Sequence, residues 1–253
     1  MSERVPLEGI QGSRAGFLLS YPRYDEETVE NRVHELRGLG VESLELVGRH
    51  MIDGVPVQGK GHVGVVVAAW FDGGRVALKI RRVDADRDSL EGEGEHLMLA
   101  NSVSVGPKFL GVSENFLLME LVEGEYLVDW VGGLGPSDGA RLRVVLRGVL
   151  DRARRLDVVG LDHGELSRAS RHIIVAGGVP RIVDFESAST DRRCRNVTSV
   201  TQFLFRSGEM GGRMRGVPRL QEGGELLEAL RVYSREPSDG SYLRLLAVCG
   251  LSE

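Results

Sequence analysis

The stretch 59-GKGHVGVVVAAWFDGGRVALKI-80 joins three glycines at G-x-G-x-x-G spacing to an apolar run, a turn and a lysine between apolar residues. That glycine spacing is a weak signal alone, and a plain glycine-rich hairpin is an alternative. A dinucleotide-binding turn needs glycines that open a helix, whereas Gly64 leads into the β-branched run VVVAAW. Lys60 lacks the following Ser or Thr of a Walker motif. The stretch therefore predicts antiparallel strands around a glycine turn, whose backbone N–H groups could cover phosphates.

The composition is that of an ordinary soluble globular protein, with 42% apolar and 27% charged residues among 253. No apolar run approaches the roughly 18 residues of a membrane helix, and the N-terminus has no apolar signal segment. We therefore expect a cytoplasmic protein without a membrane partner. Cys194 and Cys249 have no metal-ligand spacing and form no disulfide framework.

The charged residues are distributed unevenly. Residues 1–140 carry 13 basic and 23 acidic side chains (−10), and residues 141–253 carry 19 and 14 (+5), which together give the net charge of −5. A mixed solvated surface explains this bias better than a polyanion site, so nucleic acid is not indicated. The basic residues include only three lysines, Lys60, Lys79 and Lys108. A lysine between apolar residues is notable here, because a guanidinium cannot replace a compact ammonium.

The first 47 residues predict a small strand–helix–strand unit. GFLLS at 16–20 predicts the first strand, and VESLELV at 41–47 alternates apolar and polar residues as a second strand. A helical pattern lies between them, with Asp25 as its predicted N-cap. The apolar face of that helix would carry Val29, Val33 and Leu36.

In the rest of the chain, the predicted secondary structure changes from mostly strands to mostly helices. Asp53-Gly54 and Asp72-Gly73-Gly74 are hairpin signals. The predicted helices and strands before the loop 132–139 are a helix at 88–104 and strands at 109–112 and 115–124. After the loop they are helices at 140–159, 197–206, 222–233 and 241–249, and short strands at 173–175 and 181–185. The predicted apolar face of 140–159 comprises Leu142, Val145, Leu146, Val149, Ala153 and Leu156. We therefore expect three parts: 1–47, 48–131 and 132–253.

Further segments follow the glycine stretch in a set order. 76-VALK-79 ends a predicted strand in a lysine, and Glu93 lies in the next predicted helix, one turn before Leu97. 117-LLMELVEG-124 is an apolar strand that ends in E-G. Downstream come 162-DHGELSRASRHIIV-175 and 181-RIVDFES-187.

In this order, the segments resemble the motifs of the protein-kinase-like family. They resemble in particular the small archaeal serine/threonine kinase-like proteins related to the RIO and KEOPS-complex kinases. The resemblance covers about residues 47–206, and the N-terminal unit and 195-RNVTSVTQFLF-205 look typical of one archaeal subgroup. It implies an α+β, two-lobe protein-kinase-like fold. That fold would have an antiparallel β N-lobe, a minimal, mostly helical C-lobe and an N-terminal extension.

The resemblance also implies an activity and its site. The chain would be an atypical serine/threonine protein kinase that binds ATP between the lobes with Mg²⁺ or Mn²⁺ and acts on a protein substrate. Lys79, paired with Glu93, would hold the phosphates, Asp184 would hold metal, and Glu165 would take the catalytic-base position. The implied nucleotide-binding residues are Gly59, Lys60, Gly61, Gly64, Val66, Ala77, Lys79, Glu93, Met119, Glu120, Leu121 and Val122.

Three departures from the family pattern keep other functions open. Glu165 replaces the usual aspartate, and a misplacement of ~1 Å can lower a rate ~10²-fold. The second metal-ligand position falls on Ser170 by count, or on His172 by its place before IIV, and Mg²⁺ prefers oxygen ligands. Glu186 replaces the glycine of D-F-G. A pseudokinase, an ATP-binding or scaffold module with negligible transfer, is therefore an alternative, and an ATPase is a third interpretation. Two of the site residues also have a purely structural interpretation. Glu93 could be an ordinary surface glutamate, and His172 could be a loop histidine that only forms hydrogen bonds.

Overall fold

The computed structural model describes residues 3–213 and 224–252. The chain divides into two compact units. The first holds the chain up to Met98 together with Pro107–Leu121, and the second holds Leu99–Gly106 together with the chain from Val122 onward. The fold is α+β with antiparallel sheets, as the sequence predicts. The predicted division into 1–47, 48–131 and 132–253 stays a prediction.

The first unit is built on an antiparallel sheet. Its strands in chain order are β1 (Glu3–Pro6), β2 (Val41–Leu46), β3 (His50–Ile52), β4 (Val55–Val57), β5 (Gly59–Lys60), β6 (Gly64–Phe71), β7 (Gly74–Arg81), β8 (Phe109–Val112) and β9 (Phe116–Glu120). The main sheet has the order β1-β2-β6-β7-β9-β8, with β5 paired to β6, while β3 and β4 form a separate hairpin. At the β6–β7 turn, Asp72 and Gly73 have φ of +50° and +69°, the left-handed pair that a two-residue type I′ turn requires.

The helices of the first unit confirm one sequence prediction and correct another. They are α1 (Arg14–Leu19), α2 (Glu26–Gly38) and α3 (Glu91–Ser102), of which α3 continues past the boundary at Met98. Asp25 caps α2 by accepting a hydrogen bond from the Thr28 N–H at 2.8 Å, as predicted. The strand predicted at 16–20 is wrong, because those residues lie in or just after α1. Ser13 caps that helix by accepting from the Gly16 N–H at 3.1 Å.

The two faces of the main sheet differ in character. Alternate residues of a strand point to opposite faces, and directly paired residues point to the same face. One face packs with α1 and α2 into the apolar core of the unit, with Val65, Val67, Ala69, Val76, Leu78, Ile80, Phe116 and Leu118 among its buried residues. The pairs Val66–Lys79, Lys79–Leu117 and Ala77–Met119 put the alternate residues of β6, β7 and β9 on the other face.

The second unit is mostly helical. Its helices are α4 (Leu127–Gly132), α5 (Gly139–Val159), α6 (Asn196–Arg206), α7 (Gly208–Arg213), α8 (Gly224–Arg235) and α9 (Asp239–Val248), and its strands are β10 (Glu125–Tyr126), β11 (Ile173–Ala176) and β12 (Val179–Ile182). The predicted apolar face of α5 is confirmed, since all six predicted residues are buried. Of the helix predicted at 222–233, residues 222 and 223 lie outside the described residues, and the remainder belongs to α8.

Within the described part of the chain, no helix has the length and apolar character needed to span a membrane.

Candidate functional site

A buried ion pair joins β7 to α3 in the first unit. The Lys79 ammonium donates to both carboxylate oxygens of Glu93, at 2.9 Å to Oε1 and 2.8 Å to Oε2. Their side chains are only 4% and 3% exposed. The structure thus brings together the lysine and the glutamate that the sequence analysis paired. On the same helix Glu91 and Glu95 are exposed, while Leu97, one turn after Glu93, is buried.

Two glycines allow this pair to form. A Cβ on Gly64 would lie 3.0 Å from Cγ and from Cε of Lys79, and 3.0 Å from the Ile80 carbonyl oxygen. A Cβ on Gly94 would lie 3.0 Å from Cβ of Val112 on β8. Glycine at the first position leaves space for the lysine stem, and glycine at the second lets α3 approach the sheet. Both are reasons of packing rather than of backbone conformation.

The glycine stretch forms an antiparallel hairpin. Gly59 pairs with Val66 and Lys60 with Val65, and the Gly61 N–H donates to the Gly64 carbonyl at 2.8 Å. Lys60 is exposed, and its ammonium lies 5.0 Å from the centre of the Tyr21 ring. The predicted hairpin is therefore confirmed, while the role of its N–H groups in covering phosphates stays a prediction.

The register of the sheet gathers several predicted nucleotide-binding residues on one face. Val66, Ala77, Lys79 and Met119 lie on the face opposite the apolar core. Met119 and Val66 are partly exposed, whereas Ala77 and Lys79 are buried. Side chains from three strands thus lie on the face of the sheet where Lys79 meets Glu93 of α3.

The chain after β9 offers fewer backbone groups than predicted. The Glu120 N–H donates to the Lys108 carbonyl at 2.8 Å, and the Glu120 carboxylate accepts from the Lys108 N–H at 2.9 Å. This N–H already has a protein partner and cannot also bind an adenine. Of the predicted segment, Leu121 and Val122 follow the strand and are partly exposed.

In the second unit, Glu165 is bound through both of its carboxylate oxygens. The Ser187 hydroxyl donates to Oε1 at 2.6 Å. The ring nitrogen Nε2 of His172 lies 3.0 Å from Oε2 and 3.8 Å from Oδ2 of Asp184. The carboxylate is nevertheless 43% exposed, so solvent still reaches it. Glu165, His172 and Asp184 thus form one polar cluster.

The loop that carries Glu165 is pinned to the segment after Asp184. Asp162 and Ser189 exchange two backbone hydrogen bonds, both 2.9 Å long. A Cβ on Gly164, whose φ is +88°, would lie 2.6 Å from the Ser187 carbonyl oxygen. The Arg192 guanidinium donates to that same carbonyl. Only glycine permits this close approach, so Gly164 is what allows the side chains of Glu165 and Ser187 to come into contact.

His163 is a buried neutral group beneath this cluster. Burial, and then the charge of His172, lower the pKa of His163 to about 4. Its Nε2 lies 3.2 Å from the Val183 carbonyl, so this nitrogen carries the proton and donates. Its ring packs 5.1 Å from that of Phe185. His163 therefore supports the chain on either side of Asp184 rather than acting as a base.

Asp184 has a left-handed backbone, with φ of +69°. Such conformations are uncommon outside glycine, although aspartate tolerates them better than most residues, and they concentrate at functional sites. Asp184 is exposed and lies after the end of β12, so the strand predicted at 181–185 ends at Ile182.

The predicted metal ligands are not gathered into a protein-only cage. Among residues 3–213 and 224–252, no group of three or more His, Cys, Asp or Glu side chains could hold a metal ion. The Nε2 of His172 already faces the Glu165 carboxylate, which favours the loop-histidine interpretation over a ligand. Ser170 is half-buried in the 3-10 turn Leu166–Arg171. Asp184 alone combines an exposed carboxylate with oxygen chemistry suited to Mg²⁺.

Comparison with known proteins gives one relative and no family model. No family model matches the chain. Over 97 residues, which are 38% of this chain and 80% of the relative, the sequence is 30% identical to the uncharacterized protein MJ1211 of Methanocaldococcus jannaschii. The chain belongs to the same family as that protein. The name of that relative states no activity that could be compared with the site described above.

The sequence analysis missed Ser187. Its contact with Glu165 spans 22 positions, and no motif spacing connects the two. A signal was present in Gly164, because a glycine directly before a candidate catalytic residue indicates close approach of another backbone. That signal does not say which segment approaches.

Proposed function

We propose that this family member is an atypical ATP-dependent serine/threonine phosphotransferase with a two-lobe, protein-kinase-like fold. The observation that carries the proposal is the buried Lys79–Glu93 pair on the sheet face opposite the apolar core. A buried ion pair is weak evidence for stability, because desolvation offsets the attraction of its charges. A role in binding an anion would explain why the protein has a buried Lys79–Glu93 pair that adds little stability.

The first unit supports the phosphate-binding half of the proposal. Glu93 fixes the direction of the Lys79 ammonium, and Gly64 leaves space for the lysine stem. A compact ammonium on a fixed stem suits a phosphate oxygen as a point charge. Val66, Ala77 and Met119 on the same face would contact the base and sugar of the nucleotide.

The second unit supports the transfer half. Glu165 holds a hydroxyl at 2.6 Å, which lies within the distance expected of a general base. Glutamate in this place therefore can accept a hydroxyl proton, despite its extra methylene. His172 would orient the carboxylate through its contact at 3.0 Å.

The residues present fit a magnesium ion bound together with ATP. Mg²⁺ in such enzymes is commonly held by one or two carboxylates plus substrate phosphates rather than by an all-protein cage. Asp184 supplies one exposed carboxylate. The metal would neutralise charge on the phosphates, while Lys79 binds them and Glu165 takes the proton of the acceptor.

A second candidate function is a pseudokinase that binds ATP without efficient transfer. The observation that favours it is the occupation of both Glu165 oxygens by Ser187 and His172. An acceptor hydroxyl would have to displace Ser187 before it could reach the carboxylate.

The small number of lysines provides a direct binding test. An acyl-phosphate derivative of ATP transfers its acyl group to a lysine beside the bound phosphates, and mass spectrometry can follow Lys60, Lys79 and Lys108 separately. We expect acylation of Lys79, and its suppression by excess ATP. Exposed Lys108 is the matched control, and its acylation should not respond to ATP. Equal ATP-independent labelling of both lysines would contradict the phosphate-binding role.

Transfer is tested with labelled ATP and Mg²⁺ or Mn²⁺ on a serine/threonine peptide mixture. Asp184→Asn should abolish metal-dependent transfer, whereas Asp191→Asn, on an exposed neighbour, should retain it. Glu165→Gln should lower the rate by about 10²–10⁴-fold, the usual contribution of a general base. ATP binding with no label transfer in either metal would favour the pseudokinase.

A further inference from the structure

The tip of the glycine hairpin, residues 60–63, is held from the core side of the main sheet. Lys60 pairs with Val65, and directly paired residues point to the same face of a sheet. Val65 belongs to the apolar core, so the Lys60 side chain points away from the face that carries Lys79. Its ammonium lies 5.0 Å from the centre of the Tyr21 ring. This direction suits a contact that fixes the hairpin better than a contact with a phosphate beside Lys79.

Arg82 contacts the same aromatic ring and also the hairpin tip. Its guanidinium lies 5.1 Å from the centre of the Tyr21 ring and donates to the Gly61 carbonyl at 3.3 Å. Its backbone N–H donates to the Val63 carbonyl at 2.8 Å. The Asp84 carboxylate accepts two hydrogen bonds from the guanidinium, at 2.8 Å and 2.7 Å, and so fixes its orientation. This guanidinium and the lysine ammonium both lie within about 6 Å of the ring centre, the range of a cation–π contact.

The segment that carries Tyr21 is itself anchored by a buried arginine. Arg32 of α2 is only 3% exposed. Its guanidinium donates to the Leu19 carbonyl and, at 2.6 Å, to the Arg81 carbonyl. One side chain thus holds the chain just before Tyr21 and the chain just before Arg82. The ring and its second cation are therefore placed by the N-terminal part of the chain before the hairpin tip meets them.

We propose that Tyr21 is a positioning residue for nucleotide binding. Through Lys60 and Arg82, its ring holds the hairpin tip, and the N-terminal part of the chain thereby sets the affinity for nucleotide. The inference rests on the proposed function and adds to it a role for the segment from α1 to α2. Gly64 follows the tip and packs against the stem of Lys79, so a lifted tip would carry its N–H groups away from a phosphate bound to that lysine.

The size of the effect follows from the strength of the contacts. One cation–π contact near the surface changes an equilibrium by about 2–5-fold, and two together by about 5–30-fold. When the tip lifts, the Arg82 N–H loses the Val63 carbonyl and exchanges with solvent. Tyr21→Leu should therefore speed exchange of this amide about 5–30-fold, and Lys60→Gln about 2–5-fold. Tyr21→Phe keeps the ring and should exchange like the wild type.

The experiment measures amide exchange by NMR without nucleotide, and ATP affinity by titration, on the full chain. ATP affinity should fall in Tyr21→Leu by at most the factor seen in exchange, because only the fraction with a held tip binds nucleotide. Tyr21→Phe should restore it. The amide of Leu78, a buried residue of β7, reports global unfolding, and the rise at Arg82 should exceed any rise there. Lys108→Gln, a matched change at an exposed lysine, should alter neither measurement.

Two more variants keep the test sharp. If Tyr21→Leu fails to fold, Arg82→Gln takes its place, because that side chain lies at the surface, 18% exposed. It should speed tip exchange by at least about 2–5-fold. The double variant Lys60→Gln/Tyr21→Leu should bind ATP no more weakly than Tyr21→Leu, because Lys60 acts through the ring. Additive losses of affinity would mean that Lys60 binds phosphate directly and would overturn the inference.

The remaining outcomes separate the inference from the proposed function. Unchanged exchange at Arg82 in Tyr21→Leu, or the same loss in Tyr21→Phe, would overturn the role of the ring. Faster exchange with unchanged ATP affinity would overturn the positioning role and leave the proposed function standing. Failure of the wild type to bind ATP would overturn the proposed function and the inference with it.

Discussion

Removing one charge of the Lys79–Glu93 pair should destabilise the protein much more than removing both. The two side chains are 4% and 3% exposed and joined at 2.8 Å. Lys79→Met leaves the Glu93 carboxylate buried without its ammonium, and Glu93→Leu leaves the ammonium without its carboxylate. Breaking a buried pair in this way costs about 3–5 kcal/mol of unfolding free energy.

The double variant Lys79→Met/Glu93→Leu should recover most of that loss. Replacing a buried ion pair by apolar residues of similar volume is often neutral, or stabilising by about 1–4 kcal/mol. Both replacements are similar in size to the side chains they replace. We expect the double variant to unfold within about 1 kcal/mol of the wild type and to lose ATP binding.

The measurement is the free energy of unfolding in urea, without nucleotide, for the wild type, both single variants and the double variant. The exposed pair Arg4–Glu42, whose side chains are 46% and 45% exposed, provides the control. Glu42→Gln should cost at most about 1 kcal/mol. A loss below about 1 kcal/mol for Glu93→Leu would refute the burial argument. A double variant as unstable as the single ones would contradict the expected recovery of stability when both charges are removed.

Three further predictions concern packing and ionisation. Gly64→Ala should lower the unfolding free energy by about 1–3 kcal/mol and weaken ATP binding, because the new methyl group would press on the stem of Lys79. Gly164→Ala should be at least as harmful, because strain at φ +88° adds to a clash 2.6 Å from the Ser187 carbonyl oxygen. Burial raises the pKa of Cys194 from 9.0 to about 11. Its thiolate fraction at pH 8, and its rate with a disulfide reagent, should therefore fall about 100-fold below those of the unfolded chain.

Each of these predictions has a matched comparison. Gly59→Ala should be tolerated better than the Gly64 variant, since its new Cβ would lie 3.7 Å from the nearest atom. Gly160→Ala measures the cost of backbone strain alone, because φ is +79° there and no atom lies within 4 Å of the added Cβ. Equal losses at Gly160 and Gly164 would contradict the close approach to Ser187. Cys249, whose pKa burial raises to about 12, should react more slowly than Cys194. Fast modification of either thiol in the folded protein would contradict its raised pKa.

Elements with local causes were predicted well from sequence. The Asp72-Gly73 turn, the Asp25 cap and the apolar face of α5 each depend on residues only a few positions apart. The error at 16–20 has the opposite origin. A short apolar run does not distinguish a strand from a buried helix. The N-cap at Ser13 and the burial of Leu18 and Leu19 favour the helix α1 over a strand.

In the candidate site too, contacts indicated by local patterns were predicted and contacts between distant segments were not. Lys79 and Glu93 were paired from motif order and helical spacing, and the structure joins them across 14 positions. The Ser187–Glu165 contact could not be predicted, because it depends on a backbone approach at Gly164 and on the Asp162–Ser189 bridge.

The sequence alone therefore determined most strands of the main sheet, the hairpin turns and the longer helices, together with the residue types available for phosphate, metal and proton chemistry. Tertiary structure decided which of those residues meet. The sheet register placed Val66, Ala77, Lys79 and Met119 on one face, and the pinned loop placed a serine on Glu165. The physical reason is that hydrogen-bond register and close backbone packing act between segments far apart in the chain, where local patterns carry no information about the partner.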